Sequence, residues 1–146
     1  MEFFQKFYFN FFSVGSLIPF FFCFLIGLFY LTIHNRSKAS LYMGLAFTLA
    51  LGVLGLFYFL SSSYYSPVAA YHRYFTVGGP IFGIYWICKF FFNFPEPIHP
   101  KFSKIFGSIQ GILSLLMFVY FVVQTQKSKI IYNFPGFYYD FDAETA

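Results

Sequence analysis

The sequence predicts an all-α membrane protein, a bundle of four transmembrane helices, and three observations carry the prediction. Four apolar runs, at 14–33, 41–60, 74–94 and 105–123, are each about 20 residues long, the length a helix needs to cross a hydrocarbon core of about 30 Å. Hydrophobic residues make up 59% of the 146-residue chain and charged residues only 10%, where a soluble chain carries about a quarter. Phe alone accounts for 27 residues, more than a water-facing surface of one domain accommodates. The same composition excludes intrinsic disorder, which needs low hydrophobicity and high charge. Two cysteines are too few for a disulfide-stapled secreted mini-protein.

The first run, Val14 to Ile33, follows MEFFQKFYFNFF, whose aromatics suit an interface while Glu2 and Lys6 require water. Its full length, ending at His34, Asn35, Arg36 and Lys38, marks a retained span rather than a cleavable signal peptide. The second run, Leu41 to Leu60, follows Ser40, a candidate helix cap. Within the linker Ser61 to Ala70, SSSYYSP is a turn signal with interfacial tyrosines. The third run, Tyr74 to Phe94, carries one charge, Lys89, and ends at PEPIHPKFSK, where Pro95, Pro97 and Pro100 are expected to stop any helix. Ile105 to Val123 is the fourth. Residues 126–146 turn polar and then aromatic, too short to cross again, and Asp140, Asp142 and Glu144 ask for water. The expected layout is therefore a helical bundle over 1–125 and an interfacial tail over 126–146, read as a truncated external loop.

Positive charge is retained on the cytoplasmic side. With the N-terminus outside, the inner linkers hold Arg36, Lys38, Lys101 and Lys104, with Lys89 leaning that way, against Lys6, Arg73, Lys127 and Lys129 outside. Five against four favours an external N-terminus and an external 126–146 segment.

Membrane helices associate by close backbone approach, so small residues spaced by four mark candidate contacts. Gly44, Thr48 and Gly52 form such a stripe on the second helix, Gly79 and Gly83 on the third, and Gly107 and Gly111 on the fourth, with Gln110 placed for an interhelical hydrogen bond. These stripes do not distinguish a second copy of the chain, as a homo-oligomer, from another protein. Lys89 is a candidate ligand site because an ionisable group inside a span is functional by default, although it lies about 8 Å from the end of its run and can snorkel. His72 and Arg73, within Tyr71–Tyr74 at the outer mouth of the third helix, are candidates for receiving an anion or sensing external pH; the plainer reading is a headgroup anchor. Pro19 is expected to kink the first helix.

No histidine pair has ligand spacing and no CxxC or HxxxH occurs, so no metal or cofactor is expected, and Cys23 and Cys88 read as buried thiols. Neither GxSxG, a P-loop nor GxGxxG is present, so the chain is not expected to be an enzyme. Its net charge of +4 is scattered over short linkers, which suits anionic headgroups of a lipid bilayer and not nucleic acid.

Over roughly residues 11–125, through NRSKASLYMGLAF, AAYHRYFTVGGP and FFFNFPEPIHPKFSKIFG, the chain is similar to the N-terminal multi-spanning membrane regions of certain bacterial signalling proteins. Those regions precede a cytoplasmic output domain, such as a PPM-type serine/threonine phosphatase, a nucleotide cyclase or a histidine kinase. The resemblance implies a sensor or anchoring module of the bacterial inner membrane, lacking its own catalytic domain and working through an output enzyme or further transmembrane helices. It would make the FDAETA end a truncation. The competing expectation is a small transporter or channel subunit in which Lys89, Gln110 and the grooves at Gly79 and Gly107 line a polar path; a third is a non-functional remnant of a longer gene.

Overall fold

The computed structural model describes residues 6–97 and 99–142; the expectations for Glu2, Glu144 and the end of the chain past Asp142 lie outside them. Helix α1 (Phe11–Thr32) opens on a capping box. The Asn10 side chain accepts from the Ser13 amide at 2.8 Å, and the Ser13 hydroxyl accepts from the Asn10 amide at 2.9 Å, so two orphaned donors of the helix start are met. Next comes one continuous rod, Lys38–Ser63, made of α2 (Lys38–Leu45), a π-helical stretch Ala46–Gly52 and α3 (Val53–Ser63). Its cap is Ser37, which accepts from the Ser40 amide at 3.0 Å. Ser40 is thus the capped residue and not the cap, as the three-residue reach from N-cap to N3 requires. A 3-10 turn, Pro67–Tyr71, leads into α4 (His72–Phe91), and α5 (Pro100–Thr125) follows. Helix α5 starts at Pro100, inside the linker where the prolines were expected to forbid it, because at the first helical position the missing N–H has no partner to lose.

Three of these helices, α1, the rod and α5, are long and apolar enough to cross a membrane, with mean hydropathies of 2.2, 2.1 and 2.0, which marks an integral membrane protein. Helix α4, the third apolar run, does not qualify among the described residues, its apolar side chains being diluted by Arg73, Lys89, Pro80 and three glycines.

Neighbouring helices run antiparallel in the order α1, rod, α4, α5. Along the first pair, Asn10 donates to the Ser62 carbonyl, Gly55 abuts the Phe20 backbone and Gly27 abuts Thr48 and Gly44. Between rod and α4, Phe57 stacks on Phe75 with centroids 4.0 Å apart, and Tyr42 on Trp86. The last pair is held by Thr125 with Tyr74, by the Ser114 hydroxyl donating to the Ile81 carbonyl at 3.2 Å, and by Lys89 with Ser103.

The core is inverted relative to a soluble protein. Between the helices its buried members are mostly small, among them Ala39, Ala46, Ala50, Ser13, Thr48 and Ser114, while Phe22, Phe29 and Leu116 are exposed; large buried rings occur at the hairpin end, at His72, Tyr138 and Phe141. Lipid tails are as apolar as leucine, so nothing drives large side chains inward, and backbones instead close on one another wherever side chains are small. The π-helical stretch lies where α1 and α4 both press on the rod. There the Thr48 hydroxyl donates to the Gly44 carbonyl at 2.7 Å, supplying a donor where the regular ladder is shifted.

Residues past α5 form more than an interfacial loop. Strands β1 (Ile130–Asn133) and β2 (Tyr138–Phe141) pair antiparallel, Ile130 with Phe141 through Asn133 with Tyr138. The turn is pinned by Asn133 Oδ1, which accepts from the Gly136 amide at 3.3 Å, and a Cβ on Gly136 would collide with the Tyr138 ring. A lone hairpin is marginal in water, and here it docks on the helices.

Candidate functional site

The mouth of the bundle is assembled from four stretches distant in sequence. Ahead of α1, the Tyr8 amide donates to the Ser63 carbonyl at 2.7 Å, and the Tyr65 amide donates to the Lys6 carbonyl at 2.9 Å. The hairpin closes over the adjoining start of α4. Tyr138 is buried against Phe12, Tyr58 and His72, and Phe141 against Tyr71 and Tyr74.

Within this cap Arg73 and Asp140 form an ion pair, with the carboxylate side chain 5% and the guanidinium side chain 31% exposed. The second carboxylate oxygen accepts from the Phe141 amide at 2.8 Å. The acids of the tail were expected on a solvated surface; Asp140 is instead inside, because the hairpin carries it against the Arg73 guanidinium at the mouth of α4. A buried carboxylate is tolerable only when paired and hydrogen-bonded, and both conditions are met.

His72 precedes the apolar stretch that begins at Tyr74. Its Nδ1 lies 2.8 Å from the Ala69 carbonyl, its ring is wedged between Tyr58 and Tyr138, and Nε2 is buried with no hydrogen-bond partner among the described residues. Burial pushes its pKa below the usual 6.5, against the opposing pull of the Ala69 carbonyl and Asp140. A neutral imidazole is therefore favoured in the folded cap. The unfolded chain binds the proton more readily, so stability is complete above the unfolded pKa and falls as pH drops through and below about 6.5. The protection factors of amides 130–141, that is exchange corrected for its intrinsic base catalysis, should accordingly fall between pH 7 and pH 5, and His72→Gln should flatten that dependence; a protection profile identical in both proteins refutes the assignment.

Beside the cap, Tyr8, Asn10, Ser62, Ser63, Tyr65, Tyr132 and Phe137 line a cavity of about 360 Å³. Its wall carries no formal charge and is mostly apolar, set with a few phenols, hydroxyls and one amide, and the Ser63 hydroxyl is buried with no partner among the described residues.

The structure places the other candidate residues as follows. Lys89 donates to the Ser103 carbonyl at 2.6 Å and faces the Tyr85 ring, at the end of the molecule opposite the hairpin. Gln110 has a buried, unpartnered Oε1 among the described residues and is not in the wall of the cavity that Lys89 lines. Gly44 meets Leu31 and Gly27, with Thr48 one turn on against the same glycine; Gly52 faces Phe24. Gly79 and Gly83 both meet Ala50, Gly107 meets the Lys89 stem, and Gly111 faces open space. Pro19 lies inside α1, which runs unbroken from Phe11 to Thr32.

Sequence reasoning passed over Gly27 and Gly55, which have no Gly, Ala, Ser or Thr at four-residue spacing, Ala50, whose neighbour at that spacing is Ala46, and Asp140, whose partner lies on another element. No family model, curated protein or solved structure matches the chain.

Proposed function

We propose that the chain is the membrane-embedded sensing or anchoring module of a bacterial signal-transduction system, crossing the inner membrane four times and carrying no catalytic machinery of its own. The observation that carries this reading is the capped mouth. A hairpin is clamped by a buried ion pair onto the start of α4, beside an uncharged, mostly aromatic cavity with a few hydroxyls in its wall. A ligand entering that cavity would touch the segment that caps α1, the end of the rod and the hairpin at once, and so bias their packing; small interface shifts of this kind are how packed helices transmit a signal. A cytoplasmic enzyme or further helices would receive it.

Four crossings are supported by the alternation of the helices. The 6–10 segment, the 64–71 linker and the hairpin meet at one end, while Lys38, Lys89 and Lys104 line one cavity at the other. Lys89 therefore counts with the lysine end, which the positive-inside bias assigns to the cytoplasm. Reporter fusions within 61–70 and after residue 126 should both read external, and a fusion after Arg36 cytoplasmic. Either of the first two reading cytoplasmic reverses the orientation.

The transporter reading is disfavoured because its two polar residues are not joined, Lys89 opening at the lysine end and Gln110 lying apart from that cavity. Ion or solute flux in proteoliposomes that disappears in Lys89→Leu would restore it and displace the sensor.

A further inference from the structure

At the end away from the hairpin, three lysines carried by three different elements converge on one cavity of about 230 Å³. Lys38 opens the rod, Lys89 lies in the last turn of α4 and Lys104 in the second turn of α5. Tyr42, Asn93 and Ser103 add neutral polar groups to its wall. Helix α5 enters it without a side-chain cap, so the positive end of its dipole is uncompensated.

Among the described residues no acidic side chain lines this cavity. The ion pair among the described residues is Arg73 with Asp140, at the opposite end, and Glu96 in the nearby linker is exposed and outside the lining. Three like charges facing one space repel. Lys89 is nevertheless held in place, its ammonium donating to the Ser103 carbonyl at 2.6 Å with the Tyr85 ring 5.7 Å away. A site with fixed positive charge, dispersed donors and no internal anion is complementary to an external one.

The geometry points to a binding site for a phosphate group, delivered by the headgroup of an anionic phospholipid or as free phosphate. Lysine ammoniums bind phosphate as point charges without a fixed fork, and donors from three elements approach from several directions, as tetrahedral oxygens require. The inference is independent of the sensor reading, since it concerns the other end of the molecule and no transmitted signal.

Trp86 is the single tryptophan of the chain and stacks on Tyr42 in the cavity wall, with centroids 6.2 Å apart, so its emission reports on the site. The full chain in maltoside micelles would be titrated with phosphatidylglycerol, with phosphatidylcholine and with inorganic phosphate, and native mass spectrometry of the same samples would count bound lipid. Saturable binding of phosphatidylglycerol, stronger than of phosphatidylcholine, assigns the lipid as source; saturation by inorganic phosphate assigns the free ion. Lys38→Gln and Lys104→Gln, both on exposed residues, should each weaken binding about tenfold. Lys101→Gln, in the same turn as Lys104 but outside the lining, should leave it unchanged. No saturable binding of either phosphatidylglycerol or phosphate by both methods, or an equal loss in Lys101→Gln and Lys104→Gln, overturns the proposal.

Discussion

Replacing Arg73 by Met is expected to release the hairpin from the helices and to lower stability by about 3 kcal/mol, the low end for removing one partner of a buried pair because the guanidinium is itself a third exposed. The effect is asymmetric. Arg73→Met strands a carboxylate that is 5% exposed, whereas Asp140→Asn leaves a guanidinium that water already reaches, so the second variant should lose less. Exchanging both for apolar residues, Arg73→Met with Asp140→Leu, should recover much of the loss, since well-packed hydrophobic pairs substitute for buried ion pairs. Thermal melting in detergent together with amide exchange over 130–141 reads all three. Unchanged melting and exchange in Arg73→Met would mean that the pair does not hold the cap.

Gly83→Leu should be the most damaging change within the helices. A Cβ at Gly83 already overlaps the Ala50 side chain on the rod, and at Gly79 it would stand 3.2 Å from the Ala50 carbonyl oxygen, so the backbone cannot retreat without opening the contact between α4 and the π-helical stretch. Overpacking of this kind costs about 1–3 kcal/mol, which for a chain of this size lowers the melting temperature by about 6–12 °C at the upper end. Gly111→Leu is the matched comparison on α5, where an added Cβ meets nothing, and should melt within a degree or two of the parent. If the two variants melt alike, close approach at Ala50 is not what joins α4 to the rod.

The ion pair and the glycine contact are legible in the sequence to different degrees. The Gly79 and Gly83 stripe was readable, because a four-residue spacing places both on one helix face whatever the neighbour. Gly107 and Gly111 satisfied the same spacing, yet only Gly107 makes contact, against the Lys89 stem: helix α5 has a single close neighbour, and its other faces are left outward. The partner surface, Ala50, was legible only as one of two alanines four residues apart, Ala46 and Ala50, which in an apolar run are unremarkable until a glycine is placed across from them.

The mouth divides in the same way. That Tyr71, His72, Arg73 and Tyr74 belong at the start of a helix follows from the end of an apolar run. Burial of His72, and its abutment on Tyr58 and Tyr138, depends on a hairpin whose residues read locally as polar and aromatic loop. Its strands are four residues each, short enough that pairing is decided by what they rest on and not by their own alternation.

By itself the sequence determined the solvent of this protein and the axis of its helices, because transfer of about 20 apolar residues into hydrocarbon outweighs every local preference and leaves the backbone no economical conformation but a helix. Tertiary structure alone decided which small residues meet, that Asp140 finds Arg73, and that Lys38, Lys89 and Lys104 share one cavity. These are contacts between elements far apart along the chain, and in a medium where apolar burial gives no direction, their register is set by the fit of side chains that only the packed helices bring together.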